Sequence, residues 1–284
     1  MAILSIQSHV VYGYVGNTAA TFPLQFLGHD VWALNTVEFS NHTGYGAWRG
    51  QVLSADLILD LVQGLVDRQV LDQGEALLTG YLGSPEIGQA ILEALQKLRS
   101  VRPGALYCCD PVMGDYGRGF FVHPGIPELF RKQIVPHADL VTPNHFELEA
   151  LTGITIRSSQ DTRRALEKLH QAGPRIVLVT SFRENGEDAD RIDMLASDGD
   201  RVFQITTPKI PLLPPPNGGG DLTAALFLSH YLETQDIQRA LEATTASVYG
   251  ILQKTGEKNS RELQIVGARM ELIHPSHTFT ARRL

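Results

Sequence analysis

Short apolar runs alternate with longer amphipathic stretches along most of this chain, and that alternation restricts its architecture more than any other feature. Runs at Ala2–Ile6, Val31–Asn35, Ala76–Thr79, Ala105–Cys109, Leu140–Val141, Ile176–Val179 and Met194–Ala196 read as strands. Those at 105–109 and 176–179 are apolar on both faces, as strands are in a parallel sheet covered from both sides. Helical spacing lies between them: Leu57, Leu61, Val62, Leu65 and Val66, then Ile91, Leu92, Leu95 and Leu98, then 161–172, 222–232 and 236–253. The pattern predicts an α/β fold, a mostly parallel sheet with helices on both faces. Periodicity alone leaves open whether the 57–66 face packs on the sheet or on a partner. No composition shift marks a boundary, so 1–284 reads as one domain.

In such sheets ligands bind at the carboxyl ends of the strands. Chemistry-bearing residues fall there. Ser8 follows the first run, Thr79-Gly80-Tyr81 the third and Asp110 the fourth. Thr142-Pro143-Asn144 follows the fifth and Thr180-Ser181 the sixth. Further on, Asn217-Gly218-Gly219-Gly220-Asp221 opens directly into an apolar helical stretch. Glycines let backbone N–H groups wrap an anion, and the helix end adds its own N–H groups and positive dipole. Asp221 beside such a cradle is placed to take a proton from a hydroxyl. A glycine-rich turn capped by an aspartate explains the same letters. The loop is not a Walker A motif, because Gly-Lys-Ser/Thr is missing.

Asp110-Pro111-Val112-Met113-Gly114-Asp115 sets two carboxylates just past a buried strand, which suits Mg²⁺ shared with phosphate oxygens. Asn144 and Glu147 stand in capping-box register, and the alternative is that Glu147 holds a metal-bound water while Asn144 contacts phosphate. Ser40–Trp48 is polar, aromatic and glycine-rich. It reads as a small flap near 37–52 over a flat heteroaromatic ligand, or as a surface or dimer contact. Pro208–Pro216 reads as a stiff connector to the glycine loop, and Glu184–Arg191 as a polar hairpin tip.

Composition narrows the function. A net charge of −7 argues against a general nucleic-acid binder. No stretch approaches the length of a membrane span, and Met1–Ile6 lacks the pattern of a signal peptide. Cys108 and Cys109 are the two cysteines; as strand neighbours they point to opposite faces and read as thiols of a reducing compartment, so a cytoplasmic protein is expected. Gly-x-Ser-x-Gly is absent, and so is Gly-x-Gly-x-x-Gly after the first strand, which disfavours a serine hydrolase and a dinucleotide fold.

Taken together, Ser8-His9-Val10 with Gly13–Asn17, Phe39-Ser40-Asn41-His42-Thr43-Gly44-Tyr45, Thr79-Gly80-Tyr81, Asp110–Gly114, Thr142–Asn144 with Phe146-Glu147, and Gly218–Asp221 resemble the ribokinase-like superfamily. Within it, the Ser-Asn-His-Thr segment with the Ser-His-Val opening resembles the pyridoxal kinases, over essentially the whole chain. The resemblance implies a ribokinase-like three-layer sandwich that phosphorylates the 5′-hydroxymethyl group of pyridoxal from ATP, with pyridoxine and pyridoxamine as candidate further substrates. It implies that Asp221 is the general base and that the N–H groups of Gly218, Gly219 and Gly220 form the anion hole. Ser8, Thr43, Gly44 and Tyr81 would hold the vitamer, with Asp221. Asp110, Thr142, Asn144, Glu147, Thr180, Ser181, Lys209 and Ile210 would surround the nucleotide. Asp110, Asp115 and Glu147 would hold Mg²⁺, helped in many relatives by K⁺, in a homodimer. The chain departs from the family pattern at Gly219, often bulkier, and at Thr180, a lysine in many bacterial relatives.

Overall fold

The computed structural model describes residues 2–183 and 190–284. The expected hairpin tip at Glu184–Arg191 therefore falls mostly on 184–189, outside the described residues. Strand β1 (Ala2–Tyr12) is followed by helix α1 (Asn17–Phe26), β2 (Asp30–Asn41), β3 (Gly50–Val52), α2 (Ala55–Asp67), β4 (Gly74–Thr79), α3 (Pro85–Val101) and β5 (Leu106–Cys109). A two-stranded hairpin, β6 (Gly114–Asp115) and β7 (Gly119–Phe120), leads to α4 (Ile126–Leu129), β8 (Leu140–Val141), α5 (His145–Thr152) and α6 (Ser159–Ala172). Strands β9 (Ile176–Phe182), β10 (Arg191–Ser197) and β11 (Val202–Pro208) then precede α7 (Gly219–Thr234), α8 (Ile237–Glu257) and β12 (Arg282–Arg283).

The large sheet runs β12-β11-β10-β9-β8-β5-β4-β1-β2-β3. Its middle strands, β9, β8, β5, β4, β1 and β2, are parallel, and the flanking pairs are antiparallel. Successive residues feed opposite faces. Leu77, Tyr107, Cys109, Val141 and Val177 pack with α2, α3, α5 and α6. Ala76, Leu106, Cys108, Leu140 and Ile176 pack with α1, α7 and α8. This alternation makes the sandwich three layers deep, and it separates the two free thiols as expected.

The helices begin where side chains can satisfy their first N–H groups. Ser54, Ser84 and Ser158 each accept from the residue three positions on, and Asp236 accepts from Gln238 and Arg239. The open question over 57–66 divides: Ile58 and Val62 pack on the sheet, while Leu57 and Leu61 face outward.

Several boundaries differ from the sequence reading. Strands β1 and β2 run on together past Ile6 and Asn35, pairing His9 with Glu38 and Tyr12 with Asn41. Ser8 thus lies within β1, at a register shift, rather than after it. Ser40 and Asn41 are the end of β2, and the flap is the turn of a β2–β3 hairpin. Strand β11 was missed because Gln204, Thr206 and Thr207 break up its apolar residues and leave no continuous apolar run.

Candidate active site

A cavity of about 1530 Å³ opens along the carboxyl edge of the parallel strands. It brings together Ser8, Thr43, Tyr81, Asp110, Asp115, Thr142, Asn144, Glu147, Thr180, Ser181, Lys209, Ile210, Gly218, Gly219, Gly220 and Asp221. Of the predicted site residues only Gly44 stays outside the lining; it sits in the short helical turn Thr43–Tyr45, where His42 Nδ1 accepts its N–H at 3.0 Å. That bond leaves the ring proton of His42 on Nε2. Burial pulls His42 below its ordinary pKa, with Arg118 nearby adding to the effect.

One end of the cavity is walled by Val10, Val15, Val37 and Phe39, with Ser8, Thr43 and Tyr81 beside them. The wall exists because β1 and β2 project beyond the sheet, so Val10 and Phe39 pair across the extension. Burial also raises the Tyr81 phenol, keeping it a neutral donor. At the other end Thr245, Val248, Tyr249 and Leu252 of α8 face Lys209 and Ile210. Their i, i+3, i+4, i+7 spacing was visible in the sequence, but apolar helix residues carry no chemical signal that separates a ligand wall from core.

Between these ends lie the carboxylates. Asp110 leaves β5 as its backbone N–H bonds Thr79 O at 2.8 Å, and its Oδ1 accepts from Thr142 Oγ1 at 2.9 Å. Burial pushes Asp110 well above the usual carboxylate range, and repulsion from Glu147 and Asp221 adds to it, against the Thr142 hydroxyl. Glu147 completes the expected capping box: its Oε2 accepts from Asn144 N, and Asn144 Oδ1 accepts from Glu147 N, each at 2.9 Å. Its Oε1 accepts from Met113 N at 2.8 Å, which ties α5 to the turn after Asp110. Burial still dominates and lifts Glu147 to about 7. Asp115 has its carboxylate gripped by Arg118, whose Nε donates at 2.9 Å.

Asp221 sits in the first turn of α7, and Gly218 is the residue before that helix. Gly218 holds φ +84°, and a Cβ there would lie 1.8 Å from the carbonyl oxygen of Tyr14. Only glycine fits. At Gly219 and Gly220 a Cβ would meet nothing within 4 Å. No protein packing requires those two glycines, so the space above them is free for an anion. The Asp221 carboxylate is raised by burial, partly offset by hydrogen bonds from the N–H of Gly16 and from its own N–H.

Among the described residues no three His, Cys, Asp or Glu side chains form a metal cage. The neighbouring carboxylates Asp110 and Glu147, repelling each other in a buried place, fit a Mg²⁺ ion that takes its remaining ligands from phosphate and water.

The family model described as phosphomethylpyrimidine kinase matches residues 54–265. Pyridoxal kinase PdxY of Granulibacter bethesdensis is 52% identical over 286 residues, covering 99% of each chain. That of Rubrobacter xylanophilus is 51% identical over 284 residues, covering 99% of this chain and 97% of the other. Among solved structures, pyridoxal kinase from Leishmania donovani in complex with ADP and pyridoxamine superposes with a TM-score of 0.92 at 30% identity, covering 100% of this chain and 99% of that one. The fold is therefore the ribokinase-like one that the motifs implied, and its sheet edge carries the expected groups. By sequence over its full length and by structure, this chain belongs to the pyridoxal kinases.

Proposed function

We infer that the chain transfers the γ-phosphoryl group of ATP to the 5′-hydroxymethyl group of pyridoxal, giving pyridoxal 5′-phosphate. The observation that carries this reading is the seat of Asp221. A carboxylate raised by burial stands at the foot of α7, beside two glycines whose outer space no protein atom fills, in one cavity with Asp110 and Glu147. The L. donovani relative has been solved with ADP and with pyridoxamine or pyridoxine, which supports a cavity that takes a nucleotide and a vitamer together.

In this reading the vitamer ring lies between Val10, Val37, Phe39 and Tyr81, with Ser8 and Thr43 bonding its substituents. Asp221 accepts the hydroxymethyl proton as the oxygen attacks phosphorus. The N–H groups of Gly218, Gly219 and Gly220 steady the charge on the migrating group. Asp110, Thr142, Asn144, Glu147, Thr180 and Ser181 line the phosphate region, and Lys209 and Ile210 approach the base with the α8 face. Asp110 and Glu147 would hold Mg²⁺, with Asp115 through water; when bound, the ion supplies charge neutralisation at the phosphates. K⁺ assistance, a homodimer and a cytoplasmic setting belong to the same proposal. No helix among the described residues is long and apolar enough to cross a membrane.

An ATP-consumption screen over the three B6 vitamers, hydroxymethylpyrimidine and ribose, with Mg²⁺ with and without K⁺, tests it. Turnover with pyridoxal and appearance of the phosphorylated aldehyde chromophore are expected. Preference for the pyrimidine or the sugar would reject the substrate assignment.

A further inference from the structure

The chain after α8 carries no catalytic motif, yet it reaches the flap. Glu262 is buried, only 8% exposed, and both of its oxygens are used. Oε1 accepts from the Tyr45 hydroxyl at 2.5 Å, and Oε2 accepts from the backbone N–H of Tyr14 at 3.0 Å. Next to it, Arg261 lies over the Tyr45 ring, 3.8 Å from its centroid, and donates from Nη2 to the Gly44 carbonyl at 3.1 Å. The Tyr12 ring meets Tyr45 edge-on at 6.2 Å. Gly13 makes the approach possible: it holds φ +102°, and a Cβ there would lie 2.5 Å from Glu262 Oε2.

The same short stretch, 13–16, is what the reacting end of the site rests on. The carbonyl of Tyr14 backs Gly218, the residue before the helix turn that carries Asp221, and Gly16 itself closes on the Ser8 carbonyl, 2.2 Å from where its Cβ would lie. A continuous line of contacts thus runs from the Thr43–Tyr45 turn through Glu262 to the segment beneath the glycine loop. Burying a carboxylate is a costly way to pin a surface turn, since an apolar contact would hold it without desolvating a charge. What the carboxylate adds is direction: two hydrogen bonds that fix where the turn stands relative to Tyr14.

We propose that Arg261 and Glu262 are positioning residues that latch the Thr43–Tyr45 turn over the vitamer end of the cavity and hold it in register with the base at Asp221. The proposal rests on the reading of that cavity as a pyridoxal site. Neither residue lines the cavity itself; both reach it through the Thr43–Tyr45 turn, whose Thr43 stands in the lining beside Ser8 and Tyr81.

The test uses the full-length enzyme and the variants Tyr45→Phe, Glu262→Gln and their double. Loss of one hydrogen bond to a charged group should raise KM for pyridoxal about ten-fold in each single variant. KM for ATP should stay unchanged. The double variant should lose less than the two single losses combined, because the Tyr45–Glu262 bond is shared by both substitutions. Amide hydrogen exchange at 43–46, measured without substrate, should quicken in both variants. Tyr45→Phe removes only a hydroxyl, so it carries the test if Glu262→Gln folds poorly. Unchanged exchange at 43–46, additive losses, or a KM for ATP that rises in step with that for pyridoxal would each overturn the latch. Failure of the parent enzyme to phosphorylate pyridoxal would instead overturn the functional reading, while the exchange result would still decide whether the latch exists.

Discussion

Gly218 is pressed against the carbonyl oxygen of Tyr14, leaving 1.8 Å for a Cβ that is not there. Gly219, one residue on, faces open space and has no unusual φ. The two glycines should therefore answer mutation differently. Gly218→Ala must relieve a backbone clash and a left-handed φ, which costs on the order of 1–3 kcal/mol for the strain alone. A melting temperature lower by about 3–10 °C is expected, with turnover falling as the loop shifts. Gly219→Ala should melt within about 2 °C of the parent, since alanine also trims the unfolded ensemble, and should lose less turnover than Gly218→Ala. Calorimetry and steady-state rates on the pair check this; equal damage from both would show that loop space is needed at 219 as well.

Asp221→Asn keeps the shape and removes the base. A loss of at least ~10²-fold in kcat is expected, the low end for a positioned general base. The folded state should survive, because the burial that raises Asp221 is relieved in the amide. Near-normal turnover by a purified, folded variant would reject the assignment.

In the proposed reading Ser8 and Thr43 hold the vitamer, while Thr180, Ser181 and Lys209, in the same cavity, hold the nucleotide. Ser8→Ala and Thr43→Ala should each raise KM for pyridoxal by about two- to thirteen-fold, the worth of a neutral hydrogen bond, with KM for ATP unaltered. If only ATP affinity changes, the two ligands have been placed the wrong way round.

Glu147 gives the pH dependence its sign. Its folded value, about 7, lies above its ordinary 4.5. Its protonated form thus favours the empty fold fully below about 4.5, and that contribution is lost as pH rises through about 7. In the proposed site Mg²⁺ and nucleotide bind the ionised form, so kcat/KM for MgATP should climb between about pH 6 and 8. The gain in melting temperature from MgADP should be larger at the upper end of that range. In Glu147→Gln the climb near 7 should vanish. A parent profile that is level across the range would remove Glu147 from the metal site.

Most of this site could be read from the chain because its groups sit where strands end. Asp110 and Thr142 follow short apolar strands as read, while Thr180 and Ser181, expected after the sixth strand, lie inside β9, which runs on to Phe182; the common edge still follows from topology. The extension of β1 and β2 was harder to see. Beyond Ile6 three polar residues, Gln7, Ser8 and His9, interrupt the apolar run at a register shift, and the two projections are held by pairing with each other. The α8 wall escaped for a different reason, since Val248 and Leu252 look like any core-facing helix pair. The contact of Glu262 with Tyr14 was invisible because it spans 248 residues of sequence.

Cys108 and Cys109 lie on opposite faces of the central strand β5, both fully buried. Burial pushes the Cys109 thiol up to about 12 and lifts Cys108 as well. Alkylating reagents attack the thiolate, so neither sulfur offers them a target while the sandwich is assembled. Each sulfur reports on a different helical layer. The order in which the two become labelled under partial denaturation would reveal which side peels away first.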